Sequence, residues 1–600
     1  MRTAETILNI IRDRGQRHLA LEDVYRQLFN PDLYRRAYAQ IQANRGALTP
    51  GIADETVDGM SQAKIATIIE AIRHERWKWT PVRRVEIPKR NGKTRPLGIP
   101  TWSDKLLQEV VRSILEAYYD PQFSQHSHGF RPHRGCHTAL TEIHQTWAGT
   151  KWFIEGDIKG CFDSIDHSML LTILQERIND KRFIRLIEAL LKAGYCEVWT
   201  YHPTYSGTPQ GGVMSPILFN IYMDRLDRYV HHTLLPEYTR GNRRKTHPEY
   251  ERLRSLGKYY RTRGRSDKAE ILRKQAQAYP SGNPNDPDYR RLRYVRYADD
   301  FLLGLIGSQA EAEEIKAKLT TFLRTQLNLT LATEKTLVTH ALTGRARFLG
   351  YHIGMMQSQT RYDTRRARVV NGKVGLYIPV DVIENRCKRY MQNGKAIHRA
   401  ELLTDSEFET IQRYQWEYRG LVEYYGMALN LACLSKLRWI METSLLKTLA
   451  SKNRTTVVAT RKRLQSSQQT LNGPRRCLRL TIPREGKKPL VAVFGGLSLK
   501  RQIQTAMPDK VTLPYINRRS GLLERLLRDT CEVCGATEHV EMHHIRKLAN
   551  LTKKGPREKP LWMQIMIARS RKTLAVCRTC HMDIHYNRPQ SKRQGNRKAG

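Results

Sequence analysis

The sequence predicts an α+β protein of several domains, on three observations. Segments with apolar residues at helical spacing alternate with short apolar runs bounded by glycine, proline and acidic turns. At 600 residues the chain holds more material than one hydrophobic core organises. Two C-x-x-C pairs near the C-terminus, Cys531/Cys534 and Cys577/Cys580, mark a small module of metal-binding type rather than a disulfide framework, which suits a reducing compartment.

Composition narrows the partners. Lysine and arginine number 102 against 58 aspartate and glutamate, a net charge of +44, and the excess recurs in almost every segment, so a polyanion is the expected partner. No stretch of 18 or more apolar residues occurs, which excludes a membrane-spanning helix. Met1 to Asp13 lacks a basic-then-apolar signal layout and already contains Glu5, which argues against secretion or organelle import.

Residues 1–75 read as helical, with Ile7, Ile10, Ile11, Val24 and Leu28 recurring at helical spacing. From 82 to 100 the pattern becomes two short strands about Asn91-Gly92, a hairpin signal, with Lys89, Arg90, Lys93 and Arg95 offering cations to phosphates. A helix over 104–119 leads to Gly129-Phe130-Arg131-Pro132-His133-Arg134-Gly135, a basic loop between glycines suited to close approach to a sugar-phosphate chain. Trp152 to Gly156 reads as a buried strand that delivers Asp157 at its end, with Phe162 five residues on. Thr208-Pro209-Gln210-Gly211-Gly212 opens a helix over 217–230, where backbone amides suit a nucleobase or phosphate neighbour.

Residues 231–293 look inserted. Between Arg240 and Lys274 stand 13 Lys/Arg against 4 Asp/Glu, interleaved with Tyr250, Tyr259 and Tyr260, a mixture suited to structured RNA. Then comes Tyr297-Ala298-Asp299-Asp300 between apolar runs, which places two adjacent carboxylates at a hairpin turn. Like charges held together there resist joint ionisation unless a cation compensates them, so the turn is a candidate divalent-metal seat. A helix over 311–327 leads to Lys335, a candidate proton donor or phosphate ligand, and to Phe348-Leu349-Gly350-Tyr351. Thr404-x-x-Glu407 has the form of a capping box for a basic helical bundle running through Leu421, Trp439 and Leu446. Residues 451–520, rich in Arg, Lys, Thr and Gln, read as a loosely packed polyanion-binding region.

Taken in order, the 83–100 hairpin, Gly129-Phe130-Arg131-Pro132, Asp157 to Phe162, Thr208-Pro209-Gln210-Gly211, Tyr297-Ala298-Asp299-Asp300, Lys335 and Phe348-Leu349-Gly350-Tyr351 resemble the reverse transcriptase/maturase proteins encoded by group II introns. The resemblance covers nearly the whole chain. It implies a right-hand polymerase: an RNA-binding extension at 1–75, fingers and palm at 76–360, a helical thumb with maturase duty at 361–470, a DNA-binding region at 471–520, an HNH nuclease at 521–590 and a basic tail at 591–600. It also implies that Asp157, Asp299 and Asp300 hold two Mg²⁺ ions, with Lys335 as the acid for pyrophosphate departure. Phe162 becomes the gate against a ribose 2′-hydroxyl, while Lys89, Arg95, Arg131 and Gln210 become substrate contacts.

In the C-terminal module Cys531, Cys534, Cys577 and Cys580 make a closed tetrahedral zinc set. His543-His544, with His581 and His585 four apart on a presumed helix, resembles the ββα-metal (HNH) endonucleases that end many group II intron proteins. By that resemblance His544 is the general base, and His543, His581 and His585 ligate the catalytic ion. The expected partners are the chain's own intron RNA, an RNA template, target DNA and deoxynucleoside triphosphates, with no membrane. The expected place is a bacterial cytoplasm, in association with the nucleoid. The competing readings are a maturase that only binds and folds RNA, and a retron-like stand-alone reverse transcriptase.

Overall fold

The structure, a computed structural model, describes residues 2–44, 46–88, 92, 94–197, 200–202, 204, 206–207, 212–332, 334–358, 370–470, 473–503, 521–552, 559–586 and 588. Its centre is a four-stranded antiparallel sheet in the order Arg291–Tyr297, Asp300–Ile306, Trp152–Gly156, Val338–His340. The middle strands are nearly continuous apolar runs, and Phe153, Ile154, Leu302, Leu303 and Leu305 have no exposed surface, as expected of strands covered on both faces. Helices Trp102–Tyr119, Ser215–Tyr229 and Gln309–Leu327 supply much of that cover. The last of these begins at a reciprocal capping box between Ser308 and Glu311.

The basic hairpin pairs Val82–Pro88 with Thr94–Ile99 as its pattern predicts. It is extended by Tyr195–Glu197, parallel to the first strand, and by Thr200–His202. The insertion forms two paired helices, Pro248–Thr262 and Ser266–Ala276. They border a cavity of about 990 Å³ lined by Arg244, Tyr250, Arg254, Lys258, Arg261 and Arg273 among others.

A second core surrounds helices Glu407–Tyr424 and Leu434–Lys452 and includes Tyr351, Tyr414 and Leu445. The capping box here is Ser406 with Glu409, two residues later than expected. Thr404-Asp405-Ser406-Glu407-Phe408-Glu409 contains two overlapping matches to the motif, and the second starts the helix. It buries Thr410, Ile411, Tyr414 and Tyr418 on one face, while Glu407 is taken by Arg463 and Asn453.

The expectation of loose packing from 451 onward is corrected in its first part. Helix Val457–Leu464 and a three-stranded antiparallel sheet, Gln465–Thr470, Gly473–Arg484 and Lys487–Gly495, occupy it. Leu478, Ala492 and Phe494 lie on the covered face of that sheet and join the second core. A basic strand exposed on one face carries few apolar residues, so its composition reads as loop while its period is still two. Residues 504–520 of that segment lie outside the described residues.

The helices of the N-terminal segment, Ala4–Gln16, Pro31–Ile41 and Gln62–Arg73, pack their apolar faces into the first core. Met542, Val540, Leu522 and Leu526 of the C-terminal module join the same core. The rest of that module has its own small core around Trp562, Met566 and Val576. No described helix is long and apolar enough to cross a membrane.

Candidate catalytic and metal centres

The central sheet brings the three acidic residues together. Gly156 pairs with Phe301 across the sheet, and Tyr297 pairs with Asp300 across a two-residue turn, so Asp157, Asp299 and Asp300 emerge at one edge. Burial, and after it the Asp157 charge, pushes the Asp299 carboxyl above the usual range. Asp300 is pushed up to about 7 by burial and by the charges of Asp299 and Asp157. Three carboxylates that cannot all ionise comfortably are a donor set that a divalent cation relieves.

One cation is already supplied by the chain. Ala332 N donates to Asp157 O at 2.8 Å and Lys335 N to Ala332 O at 3.0 Å, which folds the Lys335 ammonium onto the Asp157 carboxylate. Hydrogen bonding to Asp157 raises the Lys335 pKa, against the opposing effect of burial.

The turn is braced from beneath by a group that sequence reasoning missed. Arg296 is fully buried and paired with Asp227 of the Ser215–Tyr229 helix at 2.6 Å. It also donates to Ala298 O at 3.0 Å, Ser127 Oγ at 2.9 Å and Asn220 Oδ1 at 3.3 Å, while Tyr294 donates to Asp227 at 2.7 Å. Ala298 sits at φ +55°, a left-handed conformation costly for a residue with a Cβ. The bond from Arg296 to its carbonyl helps hold it there. Gly129 packs against the same turn so closely that a Cβ would come within 2.4 Å of Ala298 N. An arginine one residue before the Tyr-x-Asp-Asp motif was the available signal, but its partner lies 69 residues away.

Phe162 lies in a short 3-10 turn, Cys161–Asp163, that follows Asp157 in the chain. Its ring stacks on Phe219 at 4.4 Å between centroids and meets Phe130 edge-on at 6.2 Å. Arg95 is exposed on its strand opposite Ile87. Lys89 and Gln210 lie outside the described residues. Arg131 corrects the expectation of a substrate contact. Its guanidinium is turned inward, donating to Asp120 Oδ1 at 2.7 Å, Asp120 O at 2.9 Å, Ser124 O at 2.6 Å and Ser127 O at 3.0 Å. The loop shields it, and it shapes the loop. Five fixed donors satisfy a turn of free carbonyls as readily as a phosphate.

In the C-terminal module Val540–His544 pairs with Thr573–Cys577, and helix Arg578–His585 follows, a ββα unit. The four Sγ atoms of Cys531, Cys534, Cys577 and Cys580 lie within 4.8 Å of one another. Cys534 N and Cys580 N donate to Cys531 Sγ and Cys577 Sγ at 3.4 and 3.5 Å. Clustered sulfurs receiving amide hydrogen bonds fit a zinc ion.

A second set lies alongside: His543, His581, His585 and, from the opposite end of the chain, Asp58, each offering one atom within 4.8 Å of the others. His581 Nε2 is 3.2 Å and His585 Nε2 2.9 Å from the Asp58 carboxylate. His543 Nδ1 is 3.3 Å from it, and neither ring nitrogen of this buried histidine makes a hydrogen bond. His581 Nδ1 meets Glu541 at 2.7 Å. Burial opposes its protonation, but bonds to Asp58 and Glu541 push its pKa up to about 9. Three imidazoles and a carboxylate whose ligand atoms gather within 4.8 Å of one another fit a divalent transition metal.

His544 faces the other way, as alternate strand residues do. Its Nε2 lies 3.1 Å from the Tyr38 hydroxyl and its Nδ1 3.0 Å from Met542 O. Burial pushes its pKa down to about 4. It borders a cavity of about 800 Å³ lined also by Arg546, Lys547, Arg569, Arg571 and Lys572.

Comparison with known proteins finds three family matches along the chain. Residues 87–353 match the family described as reverse transcriptase (RNA-dependent DNA polymerase). Residues 371–477 match type II intron maturase, and 531–581 match AI2M/AI1M-like HNH endonuclease. The chain is 38% identical over 613 residues to the group II intron-encoded protein LtrA of Lactococcus lactis subsp. cremoris, covering 97% of this chain and 99% of that protein. It is 32% identical over 616 residues to an uncharacterized 91 kDa protein in the cob intron of Schizosaccharomyces pombe, covering 98% of this chain and 73% of the relative. Protein YkfC of Escherichia coli strain K12 is 32% identical over 357 residues, 58% of this chain and 86% of its own length.

Proposed function

Because the chain belongs to the group II intron-encoded proteins, with reverse transcriptase, intron maturase and HNH endonuclease regions, we propose a division of labour among its residues that supports intron retrohoming by target-primed reverse transcription. The protein is a multifunctional RNA-directed DNA polymerase, splicing cofactor and DNA endonuclease. The domain limits proposed are those of the sequence reading, with a right-hand polymerase of fingers, palm and helical thumb. Its partners are its own intron RNA, an RNA template, target DNA and deoxynucleoside triphosphates, in a bacterial cytoplasm with its nucleoid.

In the polymerase site Asp157 and Asp299 would hold both Mg²⁺ ions and Asp300 would complete the set. When bound, the ions supply activation of a primer 3′-hydroxyl and neutralisation of charge on the departing pyrophosphate. Lys335 stands on Asp157 with an ammonium available to the leaving group. Phe162, backed by the fully buried Phe219, holds a rigid ring where a ribose 2′-hydroxyl would need space. In the nuclease His543, His581 and His585 would hold the catalytic ion, which supplies Lewis acidity at a DNA phosphate. There His544, neutral at ordinary pH, accepts a proton from water, and the neighbouring Arg and Lys residues hold the DNA backbone. The four cysteines would hold zinc and stabilise the module.

The single observation that carries the polymerase reading is the pairing of Gly156 with Phe301, which delivers Asp157 to the Asp299-Asp300 turn. The test is primer extension on an RNA template with Mg²⁺ and deoxynucleotides, comparing the parent with Asp299→Ala. The substitution is expected to abolish synthesis while RNA binding persists. No synthesis from a folded, RNA-binding parent would favour a maturase without polymerase activity.

A further inference from the structure

The nuclease cluster contains one member that the ββα unit does not supply. Asp58 lies on the loop before helix Gln62–Arg73, some 485 residues from His543, and its side chain is 14% exposed. It is held there by several independent contacts. Gly59 N donates to Met542 O at 3.1 Å and Met542 N to Met60 O at 2.9 Å, so residues 59–60 pair antiparallel with the His543 strand at its edge. His544 N donates to Asp58 Oδ1 at 2.7 Å. Trp102 Nε1 points at the Met60 sulfur at 3.4 Å, and Gly59 takes φ +80°, which a residue with a Cβ adopts only under strain.

We infer that Asp58 is the fourth ligand of the nuclease ion and that the N-terminal segment thereby keeps the nuclease closed until DNA displaces it. This rests on the reading of His543, His581 and His585 as ligands. A catalytic metal site with three protein ligands keeps a position open for water or substrate, whereas four protein ligands close it. The Asp58 carboxylate presents anionic oxygens to all three imidazoles, at 3.3, 3.2 and 2.9 Å. The same segment also reaches the general base: the Tyr38 hydroxyl meets Nε2 of His544 at 3.1 Å, while Nδ1 is held by the Met542 carbonyl of its own strand. Both working parts of the nuclease are thus engaged by residues within the first 60. A DNA phosphate offers the ion an equivalent anionic oxygen, and the basic cavity beside His544 offers the rest of the backbone its counter-charges, so exchange of carboxylate for phosphate opens the site without leaving the ion short of a ligand.

The test is titration of the zinc-loaded full chain with Co²⁺, read by visible absorption, together with nicking of duplex DNA. The chains compared are the parent, Asp58→Ala, Asp58→Asn and His581→Ala. Asp58→Asn retains an oxygen for the His544 amide and removes only the charge. The inference expects intense four-coordinate absorption in the parent. In both Asp58 variants it expects Co²⁺ affinity about tenfold or more lower, weaker bands as water enters the coordination shell, and faster nicking at saturating metal. Gly59→Val, which strains the loop but leaves the carboxylate in place chemically, is expected to move in the same direction. Unchanged Co²⁺ spectra in both Asp58 variants would overturn the inference while leaving the histidine site intact if His581→Ala abolishes the bands. Slower nicking in the Asp58 variants would also overturn it, since Asp58 would then serve the reaction instead of closing the site. Absence of any Co²⁺ band in the parent would overturn the metal-site reading itself, and the inference with it.

Discussion

Arg296→Met removes the guanidinium beneath the Asp299-Asp300 turn and leaves the Asp227 carboxylate fully buried with, among the described residues, the Tyr294 hydroxyl as its remaining side-chain donor. Removing one partner of a buried ion pair costs about 3–5 kcal/mol, because the stranded charge keeps its desolvation penalty. The carbonyl of Ala298, the Ser127 hydroxyl and the Asn220 amide oxygen lose a donor as well, which favours the upper half of that range. For a cooperative unit of roughly 150–250 residues each kcal/mol lowers Tm by about 2–4 °C, so a fall of about 8–20 °C is expected. Adding Asp227→Leu removes the stranded charge and restores part of the stability; the Tyr294 hydroxyl then lacks its acceptor, at about 1–3 kcal/mol, and the Ala298, Ser127 and Asn220 oxygens stay without the Arg296 donor.

Activity separates from stability in this pair of variants. Both lack the bond that holds the strained Ala298, so primer extension is expected to fall by about tenfold or more in each, since small misplacements of a catalytic group are costly. Thermal melting followed by circular dichroism, with primer extension well below the lower Tm, measures both effects. An Arg296→Met chain that melts within about 2 °C of the parent and polymerises at the parental rate would refute the reasoning.

Phe162→Val opens the space beside Phe219, and discrimination against ribonucleotides is expected to fall by about tenfold or more, read as the ratio of kcat/KM for a matched pair of nucleotides; unchanged selectivity would defeat the gate. Cys577→Ser is expected to remove stoichiometric zinc, measured by elemental analysis, and to abolish nicking while primer extension continues, because a structural zinc contributes about 10–16 kcal/mol to the folding of a small domain. RNA affinity is expected to fall by about a hundredfold or more between roughly 50 and 200 mM salt, measured by filter binding, since each neutralised phosphate releases counterions; a flat dependence would contradict the electrostatic reading of the charge excess.

Local pattern determined much of this protein. The paired strands of the 82–99 hairpin, the Asp-Asp turn between apolar strands, the two C-x-x-C pairs and the i, i+4 histidines all stand in the structure where their periods place them, because each depends on neighbours within a few residues. Where two local signals overlapped, as at Thr404 and Ser406, packing chose between them, and where one face of a strand was basic, as over 473–484, composition concealed a regular sheet. Arg131 shows the same limit: a cation between glycines reads alike whether its acceptors are phosphates or the carbonyls of its own loop. Only the tertiary structure decided the long-range partnerships, Asp157 with Asp299 and Asp300, Arg296 with Asp227, and Asp58 and Tyr38 with the nuclease histidines. Asp58 in particular is an ordinary loop aspartate in the sequence. The reason is physical: a backbone pattern encodes an element and its buried face, whereas the identity of the charge across an interface is settled only when separately formed elements pack and each buried polar group must find a partner.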